Sequence, residues 1–93
     1  MNLVDEIMES KVRIKIILTL YELGELNITQ LAKIIGSNYT LTLKHVKALE
    51  EVGIVKEVNI GRMRIIKLNK DTPAYKHIKD LANTLKGLMN IKQ

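Results

Sequence analysis

The stretch ITQLAKIIGSNYTLTLKHVKALEEVGIV, from Ile28 to Val55, constrains the fold more than any other part of the chain. Leu31, Ile34 and Ile35 recur at helical spacing, and Thr29 is placed to cap the amides at the start of that helix. Gly36 stops it, because glycine takes the left-handed conformation of a helix end without steric penalty. Ser37 and Asn38 then offer oxygens to cap a second helix, in which Val46, Leu49 and Val52 face inward and Gly53 is the stop. Two helices joined by a sharp polar turn make a helix-turn-helix. Tyr39, Thr40, Lys44 and Lys47 fall toward its outer side, which suits a helix whose first turns enter a DNA major groove while basic groups meet phosphate.

The flanking segments supply the rest of a small domain. Leu3 to Leu23 reads as a helix with Asp5, Glu6 and Glu9 near its positive end. It has one apolar stripe through Ile14, Ile17, Leu18 and Tyr21, and a second through Ile16, Leu20 and Leu23. So wide an apolar arc asks for more partners than one small core provides, so part of it is expected against a second subunit. Glu25 to Asn27 reads as a link. After Gly53, residues 54–60 and 63–68 are β-branched and roughly alternating, with Gly61-Arg62 between them, which predicts a hairpin with Arg62 and Arg64 lifted outward at its tip. Asp71-Thr72-Pro73 reads as a helix start. From there to about Asn90, Ala74, Ile78, Leu81, Leu85 and Leu88 recur at alternating spacings of four and three, with Ala82 and Met89 widening the stripe. That heptad-like seam suits pairing within a dimer; the alternative is a helix folded back on its own domain.

GSNYTLTLKHVKALEEVGIVKE, the segment NIGRMRIIKL and the upstream SKVRIKIILTLYELGELNITQLAK together resemble the ArsR-type and related archaeal winged helix-turn-helix transcription regulators, over about residues 10 to 69. KHVKALEEVGIV is the most specific portion. The resemblance implies a mainly α fold with a small β-hairpin: a winged helix-turn-helix over residues 1–70, and a C-terminal dimerisation helix over 71–93 within the same compact domain. In that family the first helix braces the core, the third enters the major groove, and the hairpin wing touches backbone or minor groove. By position, the groove-facing residues fall on Asn38, Tyr39, Thr40, Leu43, Lys44 and Lys47, and the wing-tip basics on Arg62 and Arg64. Lys67 is a further candidate phosphate contact. Two departures stand out: Leu43 occupies a position where a small polar residue is usual, and Thr42 one where an apolar residue is usual. Either would follow from a helix turned by part of a turn. The expected dimer interface is Ile16, Leu20, Ile78, Leu81, Leu85 and Leu88.

Length and charge fit this reading. A chain of 93 residues can bury one modest core, and 46% hydrophobic with 27% charged residues is the balance of a folded protein. Between Ile28 and Lys70 eight basic residues stand against three acids, so the positive excess sits on the proposed reading unit, although a solvated surface with scattered lysines would show the same count. Apolar runs are too short to span a bilayer and the acidic N-terminus is unlike a secretory leader, so a cytoplasmic, nucleoid-associated protein is expected. With no cysteines the chain has no disulfides and no thiolate metal site.

Catalysis finds no constellation to rest on. Serine occurs only at Ser10 and Ser37 and histidine only at His45 and His77, with no glycine-rich phosphate loop, so no enzyme activity, cofactor or metal is expected. His45, inside the second helix of the motif, either touches phosphate or packs at the helix junction; His77 reads as solvent-facing. The expected function is sequence-specific binding of double-stranded DNA by a homodimeric transcriptional repressor. Two other readings compete with it: an architectural protein coating DNA without reading sequence, and a winged-helix module that docks on protein.

Overall fold

The computed structural model describes the backbone of residues 3–91 and the side chains of residues 9–88. In chain order the elements are α1 (Leu3–Leu23), β1 (Leu26–Asn27), α2 (Ile28–Ile35), α3 (Tyr39–Glu51), β2 (Val55–Ile60), β3 (Met63–Leu68) and α4 (Ala74–Ile91). This is the expected winged helix-turn-helix, with one strand more than the sequence suggested. The side chains of Asp5, Glu6 and Met89, invoked above, lie outside the described residues.

One face each of α1, α2, α3 and the sheet converge on a single core. Ile16, Leu31, Val46 and Ile66 are fully buried there, joined by Leu20, Ile28, Leu49 and Val55. This corrects the expectation for Ile16 and Leu20. Both side chains are consumed by the chain's own core, and neither is available to a second copy. Ile17 and Tyr21 lean on the same core, while Ile14 and Leu23 stay about half exposed. α1 is therefore the spine of the domain, and only its flanks face outward.

The link before α2 is more ordered than expected. Asn27, not Thr29, caps α2: its Oδ1 accepts the Gln30 amide at 2.8 Å, and the Gln30 Oε1 accepts the Asn27 amide at 3.1 Å. This reciprocal box starts the helix at Ile28. Leu26 and Asn27 also pair with Ile66 and Ile65, so the sheet has three antiparallel strands in the order β1-β3-β2. Gly36 takes the left-handed conformation at φ 73°, and the Ser37 amide donates back to the Ala32 carbonyl at 2.9 Å. The chain then turns, and the Asn38 Oδ1 accepts the Leu41 amide at 2.9 Å to start α3. Val52, expected inside, is exposed, and so is Ile34. Each lies at the solvent edge of a helix whose inward positions are filled by Leu31 and Ile35, or by Thr42, Val46 and Leu49.

α4 begins after Pro73, with the Thr72 hydroxyl rather than the Asp71 carboxylate accepting the Ala74 amide. Tyr75, Ile78 and Ala82 turn toward the domain, and Tyr75 lies against Tyr21 with ring centroids 6.3 Å apart. Leu81, Leu85 and Leu88 form a second, exposed stripe on the same helix. Ile78, placed at a dimer interface above, belongs mainly to the inward side.

Thr42 is the anomaly of the core. It is fully buried on the inward side of α3, and its hydroxyl has no hydrogen-bond partner among the described residues. A buried hydroxyl without a partner costs about 1–3 kcal/mol relative to solvent. Valine has nearly the same shape without that cost. Thr42→Val should therefore raise stability by about 1 kcal/mol and the melting temperature by roughly 4–8 °C. A calorimetric melting temperature equal to or below that of the parent would show the hydroxyl to be satisfied in solution.

Candidate nucleic-acid interface

α3 presents Thr40, Lys44 and Lys47 to solvent because Thr42, His45, Val46 and Leu49 take its inward positions. The two departures noted in the sequence follow from this phase. Thr42 fills a core position, and Leu43 is half-buried against the core rather than out on the reading face. The Asn38 side chain is engaged as the helix cap, while Tyr39 remains about half exposed at the leading end.

The wing meets this end of α3. Tyr39, Thr29 and Asn27 line a shallow cleft of about 160 Å³ together with Arg62, Met63 and Arg64 from the hairpin. The hairpin turn has the geometry that lets Arg62 stand at its tip. Gly61 is at φ 61° while Arg62 keeps a negative φ, the pattern of a two-residue turn with glycine first.

The basic residues differ in how they are held. Glu57 on β2, its side chain only 6% exposed, binds Lys47 Nζ at 3.1 Å and Arg64 Nε at 3.3 Å. Lys47 also reaches Glu50 at 3.4 Å, and these partners, the Glu57 hydrogen bond first, raise the lysine's affinity for its proton. One carboxylate thus ties the reading helix to both strands of the wing. Lys44 has a looser contact, 3.8 Å from Glu9. Lys67 does not join the group. It lies three residues beyond Arg64, about 10 Å along the strand at 3.3 Å per residue. There it lines a separate cleft of about 360 Å³ at the base of the wing, with Lys56, Lys70, Tyr21 and Tyr75, and pairs with Glu25 at 3.9 Å.

His45 packs at the helix junction. It is nearly buried, and its Nδ1 accepts a hydrogen bond from Arg13 Nε of α1 at 3.3 Å. That bond requires the neutral imidazole. Burial, and then the Arg13 charge, push its pKa below the ordinary value. Arg13 is in turn 3.7 Å from Glu9, the same carboxylate that faces Lys44. Neither Glu57 nor Arg13 could be singled out from sequence, since each depends on a contact between elements far apart in the chain. His77 is exposed, as expected. Among the described residues no group of three or more potential metal ligands occurs, and no helix is long and apolar enough to cross a membrane.

A helix-turn-helix whose second helix is flanked by a β-hairpin defines a winged-helix protein. Residues 10–57 match the model of the bacterial regulatory protein, arsR family, and the chain belongs to that family of DNA-binding transcriptional regulators. The fold is shared with solved structures of low identity. The adhesin competence repressor AdcR of Streptococcus pyogenes is 20% identical over 98% of this chain and 73% of its own, with a TM-score of 0.70. The antimony-specific transcriptional repressor AntR is 17% identical over 100% and 91%, with a TM-score of 0.68. The Zα domain of Carassius auratus PKZ, solved in complex with Z-DNA, is 24% identical over 66% and 97%, with a TM-score of 0.62. No curated protein sequence matches the chain.

Two outcomes follow from these contacts. Glu57→Gln should free Lys47 and Arg64 from the carboxylate that competes with phosphate and tighten binding to duplex DNA by about tenfold; anisotropy titrations at fixed salt would measure it, and an unchanged affinity would show that neither cation reaches DNA. His45 contributes to the acid side of stability. The unfolded chain takes up a proton near pH 6.5 while the folded chain resists it until lower pH, so this stabilisation is complete above about pH 6.5 and declines as pH falls. Melting temperature should fall as pH is lowered through about 6.5, and His45→Gln should lessen that fall.

Proposed function

We propose that the chain is a homodimeric repressor that reads double-stranded DNA sequence-specifically with α3 and grips the flanking backbone with the wing. The observation that carries this reading is the convergence of Tyr39, Arg62 and Arg64 on one cleft beside the exposed Thr40 and Lys44. Thr40 faces base edges, with Asn38 beside it at the helix cap. Tyr39, Lys44, Arg62 and, once released from Glu57, Lys47 and Arg64 contact phosphate. Leu43 contributes packing at the flank of the helix, and Lys67 lies outside the contact. The names of AdcR and AntR, both repressors, support repression by occupancy of a promoter.

Dimerisation is supported by the unpartnered stripe of Leu81, Leu85 and Leu88 on α4, with Ile14 and Leu23 exposed on α1, the helix α4 packs against. In this proposal residues 71–93 pair two copies, and residues 1–70 of each reach DNA about one helical turn apart, roughly 34 Å. The assembly acts in the cytoplasm, on the nucleoid.

Selection of bound duplexes from a random pool tests specificity and symmetry together. The expected product is a palindromic or near-palindromic consensus, whereas an unenriched pool bound with a strong salt dependence would identify an architectural protein. Leu81→Ser combined with Leu85→Ser should halve the mass measured by light scattering. It should also weaken binding to the full site by about 100-fold, within the range that linking two modules provides, while leaving half-site binding unchanged. A parent chain that is already monomeric would overturn the dimer.

A further inference from the structure

The outer face of the wing is apolar where it extends beyond the rest of the sheet. β1 pairs only with Ile65 and Ile66, so from Asn59 to Arg64 the hairpin is a two-stranded ribbon without a third strand. Register divides its side chains. Val55, Ile66 and Leu68 face the core together with the Glu57 carboxylate, and the alternate positions Val58, Ile60 and Met63 face outward at 37%, 62% and 50% exposure. Ile60 and Met63 stand directly opposite each other next to the Gly61-Arg62 turn, so the tip carries an isoleucine, an arginine and a methionine side by side. Met63 also lines the cleft that holds Tyr39, Arg62 and Arg64, which makes the apolar pair continuous with the surface assigned to DNA above.

We propose that Ile60 and Met63 form a wedge that enters the minor groove and partly unstacks a base step, bending the duplex toward its major groove. The proposal rests on the DNA-binding reading of the previous subsection. A slim ribbon with a two-residue turn fits a groove about 6 Å wide, and apolar wedges of isoleucine or methionine are among the side chains that kink DNA at such sites. Arg62 between them supplies the charge that draws the tip to the negative potential of a narrow groove. A second copy of this chain is a poor occupant, since two-fold docking of the tips would set Arg62 against Arg62. The wedge favours flexible pyrimidine–purine steps such as TA and CA, and it adds preference at positions α3 does not reach.

The test separates bending from binding. A duplex from the random-pool selection is labelled at its ends for energy transfer, with 2-aminopurine placed at the step beneath the wing, and is titrated with the parent, with Ile60→Ser/Met63→Ser and with Ile60→Leu/Met63→Leu. Both side chains are exposed, so melting temperatures should stay equal and serve as the folding control. The parent should bend the duplex by about 20–90° and raise 2-aminopurine fluorescence. The serine variant should bind no more than about tenfold more weakly, because apolar contact and unstacking cost largely offset each other, and should keep the same salt slope. It should leave the duplex straight and the fluorescence low, and the leucine variant should restore both signals. A duplex that stays straight under bound parent protein, or one that the serine variant bends equally, overturns the wedge while leaving DNA binding intact. A parent that binds no duplex at all overturns the DNA-binding reading itself, and the wedge with it.

Discussion

A nearly buried carboxylate sets the relation between the two parts of this molecule that reach outward. Glu57 sits on the inner face of the wing, where an isolated negative charge would be costly, and the chain meets that cost by bringing one cation from α3 and another from β3 to the two oxygens. The geometry is mutual. Lys47 cannot swing freely outward without leaving Glu57, and the hairpin cannot tilt away from α3 without parting the same bond. The positive charges counted along the sequence are therefore of two kinds. Arg62 is exposed at the tip and Lys44 is held at 3.8 Å by Glu9, while Lys47 and Arg64 are bound to the Glu57 carboxylate. Parting Lys47 and Arg64 from the nearly buried Glu57 costs more than parting a water-exposed pair, because it leaves a carboxylate without a partner away from water.

Behind that face, α1 and α3 are joined twice, by Ile16 and Val46 in the shared core and by the Arg13 to His45 hydrogen bond at its rim. Lys44 and Glu9 extend the second contact to the surface, so α3 is braced by α1 at Lys44 and by the wing at Lys47. A helix held on both sides is presented at one angle, which the proposed readout of base edges would require.

Much of this was legible in the chain. Gly36, Asn38 and the alternation around Gly61-Arg62 have local physical meaning, and the helices and hairpin stand where those signals put them. What was not legible depends on contacts between distant segments. β1 is two residues long and exists only because β3 lies beside it. The inward turn of Ile16 and Leu20 could not be told from an outward one, because both stripes of α1 are apolar and only the placement of α2, α3 and the sheet chooses between them. Leu43 and Thr42 both depart from the family pattern, and packing against the core makes Thr42 the buried one. Lys67, a basic residue on a wing strand, carries no mark in the sequence of whether it lies near the tip or the base, and the structure sets it at the base. Composition could not reveal Glu57 as an organising residue, since its importance comes from what surrounds it.

The strand order carries one more consequence. With β3 in the middle, β2 is left with an open side along its backbone among the described residues, and amide and carbonyl groups there could template another strand. Its six-residue length, the charge of Lys56 and the stronger twist of an unsupported ribbon all work against such growth. The same slenderness that lets the hairpin project from the domain thus helps keep the protein from building fibrils through it.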